Sequence, residues 1–266
     1  MDKVTRGARL TLQNVSVSFD SNRSLAPILE SVSLIIEPGE VVALCGVSGV
    51  GKSTLLRVLA GLTPATSGEA ACEGMPISGP PEGVGYVVQD FYRSLFPWMS
   101  VQGNLMLALR RSSMSSQEKR DRVSQVLREV DLAGKEKARM WELSGGMAQR
   151  VAIARALVAE TSLLLMDEPF ASVDAQVRQE LEDLTLAVSA AHGVTTIIVT
   201  HDIDEAIYVA DRVVVLSGKP ATITAVVDVP LSRPRNQLRT REAPDFGEIR
   251  RRVVHAMWPE ENNKRS

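Results

Sequence analysis

Cysteine is scarce in this chain, with two in 266 residues, Cys45 and Cys72. Neither belongs to a CxxC pair, and no zinc-ligand spacing is present. Neither a disulfide-stapled scaffold nor a structural zinc site is expected, and both residues read as reduced thiols in apolar segments, with a disulfide between them the alternative. Long apolar runs are also missing. None approaches the ~18 consecutive residues that a membrane span needs. The opening "MDKVTRGARL" lacks an apolar core, so no secretory signal is expected there. Work at a membrane would need another chain as anchor. Charge of one sign is absent too: 30 Lys and Arg stand against 32 Asp and Glu, a net charge of −2. No global basic field points to nucleic acid, and none is expected as a partner. What remains is 44% apolar and 23% charged, an ordinary globular balance. The length suits one large domain, or a core with a subdomain, around a sizeable interior.

Hydrophobic periodicity supplies the organisation. "ARLTLQNVSVSF" alternates as a half-buried strand does, and "VSLII" reads as another strand. "EVVALC" is short, apolar and β-branched, the signature of a buried strand, and leads into a glycine-rich loop and the helix "STLLRVLAG". "GEAACEG" and "GVGYVVQ" read as further strands. The period then becomes helical from roughly residue 95 to 160. Within that block Ser115 and Glu118 form a capping box, and Val123, Leu127 and Val130 share one face. Strand and helix alternate again through "SLLLMDEP", "AQVRQELEDLTLAVSA", "TTIIVTH", "DIDEAIYVA" and "DRVVVLS". This is an α/β fold with a parallel sheet and a helical block inserted between two of its strands. The tail adds a candidate edge strand, "ATITAVVDV", and an arginine-rich loop. Its helix carries Phe246, Ile249, Val253 and Met257 at helical spacing. Seven arginines between Arg233 and Arg252 read as a solvated basic surface, with anionic lipid as the alternative contact.

The chemistry concentrates in a few short stretches. "GVSGVGKST" fits G-x-x-x-x-G-K-[ST] between a strand and a helix. Gly46, Ser48, Gly49 and Gly51 let backbone amides turn toward phosphate oxygens. Lys52 adds charge, Ser53 a hydroxyl for Mg²⁺, and Thr54 the start of a helix whose dipole favours anions. "SLLLMDEP" brings Asp167 to the end of a buried strand, where it can hold Mg²⁺. Glu168 follows and is the candidate base for an attacking water. His201 ends "TTIIVTH" and is a candidate γ-phosphate contact, with helix capping as the plainer role. Gln89 ends "VGYVVQ" and is a candidate metal ligand or water-orienting amide. Phe19 reads as a core or edge aromatic, with base stacking the alternative. His192 and His255 read as surface residues.

"LSGGMAQR" is a second anion-ready helix start, built from Ser144, Gly145 and Gly146. On an inserted helical arm it has no easy path to its own chain's phosphate loop. A two-fold dimer resolves this, each chain capping the nucleotide held by the other. Phe91, Tyr92, Phe96 and Trp98 form an aromatic segment suited to a partner helix, or else packed into the helical block.

With "GVSGVGKST", Gln89, "LSGGM", "LLLMDEP", "ASVD" and "THD" in this order, the chain resembles the ATPase subunits of ABC transporters. The resemblance implies a P-loop NTPase (RecA-like) core sheet, an N-terminal antiparallel β region and an inserted α-helical subdomain. It implies an ATPase domain over residues 8–230, with the insertion at about 90–160, and an arginine-rich extension over 231–266. ATP and Mg²⁺ are the implied cofactors. Phe19 becomes the adenine-stacking residue and Asp174 the acid that crosses the dimer axis. Glu168, His201 and Gln89 take catalytic roles, and Ser53, Gln89 and Asp167 hold the metal.

"SLFPWMSVQGN", "DEPFASVDAQVR", "THDIDEAIYVADRVVVLS" and "PLSRPRN" are similar to the nitrate, sulfonate and taurine importer branch. That branch implies a subunit on the cytoplasmic face of the inner membrane. It would be peripheral, joined to membrane permease subunits and a second copy of itself, and served indirectly by a substrate-binding protein. A pyrimidine or thiamine-precursor cargo, or export, is the alternative. Ala148 stands where the branch commonly has a basic residue, and Val173 where Leu is usual. The Gln89–Trp98 spacing is longer than the commonest.

Overall fold

The structure, a computed structural model, describes residues 7–21 and 24–258. The first six residues of the opening stretch and the last eight of the extension lie outside the described residues. Strands β1 (Leu10–Ser21) and β2 (Ser24–Ile36) pair antiparallel. They continue into β4 (Ser67–Cys72) and β5 (Met75–Pro76), giving a four-stranded sheet of order β2-β1-β4-β5. β2 is much longer than "VSLII", because pairing with β1 continues from Leu29 across Pro27, a residue that disfavours a strand, to Ser24.

The second sheet holds β3 (Val41–Cys45), β6 (Val84–Val87), β7 (Leu163–Asp167), β8 (Thr195–Thr200), β9 (Arg212–Ser217) and β10 (Thr222–Asp228). Its order is β10-β9-β3-β8-β7-β6. All neighbours run parallel except β10, the antiparallel edge. Alternation along the strands divides the interior in two. Val42, Leu44, Leu163, Leu165, Ile197 and Val199 face the antiparallel sheet and α1 (Lys52–Leu59). Ala43, Cys45, Leu164, Met166 and Ile198 face the helical side. Both faces are covered, which is why these strands read as continuous apolar runs. Cys45 and Cys72 are free, buried and in different clusters.

Between β6 and β7, which are sheet neighbours, lie α2 (Phe91–Ser94), α3 (Val101–Ala108), α4 (Ser116–Glu129) and α5 (Gly145–Leu157). The Ser115–Glu118 capping box starts α4, and Val123, Val126, Leu127 and Val130 are fully buried. Helices α6 (Ala175–His192), α7 (Ile203–Val209) and α8 (Pro244–Met257) cover the same side of the parallel sheet. The stripe Phe246, Ile249, Val253 and Met257 docks α8 there, with Pro244 in its first turn.

Three expectations change. The arginine tail is solvated only in part: Arg233, Arg239, Arg250, Arg251 and Arg252 are exposed, while Arg235 and Arg241 are partly buried. Arg233 pairs with Asp211 at 2.7 Å, Arg241 with Glu182 at 2.7 Å and Arg250 with Asp204 at 2.8 Å. The Arg235 side chain is wholly buried on the carbonyls that end α7. His192 is half-buried and bonds Glu129 at 2.8 Å, whereas His255 is exposed. Phe91 packs into the helical block, while Tyr92, Phe96 and Trp98 stay exposed. Ala148 is fully buried.

Candidate functional site

Four adjacent parallel strands, β3, β8, β7 and β6, end at one rim of the sheet. This is where an open α/β sheet binds ligands. Just past each end comes a polar residue: the glycine loop after Cys45, His201 after Thr200, Glu168 after Asp167 and Gln89 beyond Val87. Together they line a cavity of about 420 Å³ with Ser48, Gly49, Gly51, Lys52, Ser53, Thr54 and Ile28. Ile28 was not anticipated. It is one apolar residue in a strand, and only the fold brings it to the loop.

The loop ends at Gly51, whose φ of 119° is open to glycine and strained for other residues. A Cβ there would also lie 2.9 Å from Leu29. Helix α1 starts directly after it, so its unpaired amides face the cavity. Lys52 is almost fully buried and donates to the carbonyls of Gly46 at 2.7 Å and Val47 at 3.0 Å. Burial lowers its pKa, and the nearby Glu168 carboxylate opposes that shift. Ser53 Oγ donates to Asp167 Oδ1 at 2.9 Å. Burial raises the Asp167 pKa, and the Ser53 bond counters it. Hydroxyl, carboxylate and the nearby Gln89 amide form a hard-oxygen set. With phosphate and water completing the shell, it fits Mg²⁺. Among the described residues no cluster of three His, Cys, Asp or Glu side chains forms a metal site.

Glu168 is the hub. It adopts φ 45°, and its amide donates to the Val199 carbonyl at 2.9 Å. Gln89 Nε2 lies 3.2 Å from one of its oxygens and His201 Nδ1 3.4 Å from the other. A carboxylate so bracketed over the phosphate loop is placed to take a proton from water.

The remaining predicted residues do not line this cavity. Ser144 caps α5 by accepting from the Met147 amide at 3.3 Å. Gly146 lies against α6, so that a Cβ there would meet Val177 Cγ1 at 2.4 Å. Asp174 caps α6, accepting from Gln176 at 3.1 Å and Val177 at 3.0 Å. Phe19 is 46% exposed rather than packed in the core. Trp141, just before the serine-glycine cap, is 70% exposed and was not singled out from sequence.

A phosphate loop, a strand-end acid pair, a bracketing glutamine and histidine, and a separate serine-glycine helix cap define a nucleotide-binding ATPase cassette. The ABC transporter family profile matches residues 29–171. A taurine import ATP-binding protein of Burkholderia pseudomallei is 43% identical, covering 82% of this chain and 83% of that protein. An aliphatic sulfonates import ATP-binding protein of Bacillus subtilis is 41% identical, covering 85% and 86% respectively. The dimeric bacterial ABC transporter cassette MJ0796 superposes with a TM-score of 0.73 at 29% identity, over 83% of this chain and 98% of that one. This chain belongs to the ABC transporter family.

Proposed function

We propose that this chain is the ATP-hydrolysing subunit of an ABC importer that takes up a small anion through a separate membrane permease. The observation that carries the reading is the Glu168 carboxylate held between Gln89 and His201 beside Lys52 and Ser53. The curated relatives, named for taurine and aliphatic sulfonate import, support a sulfonate as cargo. Nitrate is the alternative anion.

In this reading the amides of Gly46, Ser48, Gly49 and Gly51, with Lys52 and Thr54, hold the ATP phosphates. Ser53, Asp167 and Gln89 would hold Mg²⁺, which would neutralise phosphate charge. Phe19 stacks on adenine. Ser144, Gly145 and Gly146 of a second copy close over the γ-phosphate, and Asp174 lies at the dimer axis. Glu168 takes the proton as the water oxygen bonds to phosphorus. The bond from the γ-phosphorus to the bridging oxygen breaks, leaving ADP and phosphate. His201 steadies the charge that develops on the γ-phosphate.

Among the described residues no helix is long and apolar enough to cross a membrane. A peripheral place on the cytoplasmic face of the inner membrane is proposed, with the permease as anchor. A substrate-binding protein would deliver cargo from outside. The exposed Tyr92, Phe96 and Trp98 suit a permease helix. The segment 8–230 is proposed as the ATPase domain, with 90–160 as its helical subdomain.

The test is uptake. Cells lacking the gene are followed with labelled taurine, an alkanesulfonate and nitrate. The proposal expects loss of uptake of at least one, restored by the wild-type chain and not by Glu168→Gln. Unchanged uptake of all three would overturn the cargo assignment.

A further inference from the structure

Between α6 and α7 lies a second, small cavity of about 60 Å³, lined by Glu168, Ala171, Arg178, Thr200, His201, Asp202 and Glu205. It backs directly onto the proposed base and histidine. The one cation on its wall is Arg178. Its amide donates to the Asp174 carbonyl at 2.9 Å, one turn into the helix that Asp174 caps. Its guanidinium lies 3.8 Å from the Asp202 carboxylate. Asp202 follows His201 and caps α7, accepting from Asp204 at 2.9 Å and Glu205 at 3.1 Å. Arg178 therefore joins the start of one helix to the start of the other.

The arginine-rich extension completes the connection from behind. Glu182, one turn beyond Arg178 and fully buried, accepts from Arg241 at 2.7 Å and Gln237 at 3.0 Å. Arg241 also lies 4.8 Å over the ring of Tyr208 in α7. Arg235 donates to the Ile207 carbonyl at 3.2 Å and the Ala210 carbonyl at 2.7 Å, where a helix end favours a cation. Arg250 reaches Asp204 in the first turn of α7 at 2.8 Å. None of these four residues of the extension lines the nucleotide cavity. A helix of seven residues is unstable alone, so its position depends on what packs around it. Here both ends of α7 are held by residues of the extension.

We propose that Arg178 and the segment 231–257 form a clamp that fixes the His201-bearing end of α7 to the Asp174-bearing end of α6. Arg178 is then a positioning residue for His201, acting through Asp202. This rests on the ATPase reading above. A static clamp keeps the histidine and Asp174 in register as a nucleotide is enclosed, and the extension serves the catalytic half of the molecule rather than a membrane surface.

The test uses the full chain with Arg178→Met, Arg178→Lys, Arg241→Met and His201→Ala, each alone, and Arg178→Met combined with His201→Ala. Displacing a group by about 1 Å costs on the order of 100-fold in rate. Arg178→Met is expected to lower kcat by about 10–100-fold, with the KM for ATP within about 2-fold. Arg178→Lys recovers most of the loss. Adding Arg178→Met to His201→Ala lowers kcat no further, because the two act on one group. In nucleotide-free protein both Arg178→Met and Arg241→Met speed amide hydrogen exchange over 201–210. Unchanged kcat, a loss that repeats in full in the His201→Ala background, or unchanged exchange would each overturn the clamp. If the wild-type chain hydrolyses no ATP, the functional reading falls, and the exchange measurement still decides the clamp.

Discussion

Glu168 holds a left-handed backbone conformation, and its two oxygens are met by Gln89 and His201. Replacing it with glutamine keeps the shape and removes the proposed proton acceptor. Glu168→Gln is expected to lower ATP turnover by about 10²–10⁴-fold with ATP affinity retained, measured by phosphate release and by nucleotide binding. Glu205 gives a prediction of the opposite kind. It is buried, and desolvation is the main cause that raises its pKa from 4.5 to about 8. The Thr200 hydrogen bond and Arg178 oppose the shift, while Glu182 and Asp202 add to it. The folded state therefore binds this proton more tightly than the unfolded chain does. The stability it contributes is complete below the ordinary carboxylate range and is lost as pH rises through about 8. Glu205→Gln cannot ionise. Its melting temperature relative to wild type is expected to improve from pH 5 to pH 9; a pH-independent difference would refute the burial argument. At this scale the sequence was informative wherever a motif tied residue type to spacing. Lys52, Ser53 and Asp167 were legible for that reason. Arg178, Glu182 and Glu205 were not, because their roles come from packing between helices far apart in the chain.

Among the elements, α5 and α6 meet where each carries residues of the proposed site at its start. Gly146 leaves no room for a methyl group against Val177, in the first turn of α6. Gly146→Ala is expected to destabilise the fold by about 1–3 kcal/mol in urea unfolding. Combining it with Val177→Ala should recover part of that loss, since the methyl it meets is removed. Two additive losses would mean that the packing between these helices is not what requires glycine. Periodicity exposed most elements, since buried parallel strands and amphipathic helices write distinct patterns. It failed for the first half of β2, where the run "LAPIL" shows no alternation and cross-strand pairing with β1 defines the strand. It also missed the ion pairs of the arginine tail, because the acidic partners Glu182, Asp204 and Asp211 lie elsewhere in the sequence.

For the whole molecule, two anion-ready helix starts were legible in "GVSGVGKST" and "LSGGM", and their separation is the informative fact. The first opens into the nucleotide cavity, and Ser144, Gly145 and Gly146 do not line it. In the proposed reading one chain presents two complementary half-sites, and a two-fold pair would complete both. The solved cassette that this chain resembles is itself dimeric. The most direct test is the mass in solution of Glu168→Gln at saturating ATP and Mg²⁺, by sedimentation velocity. The account predicts twice the 28.9 kDa of one chain, reverting to one chain without nucleotide or when Ser144→Arg is added. A single chain with ATP fully bound would contradict it.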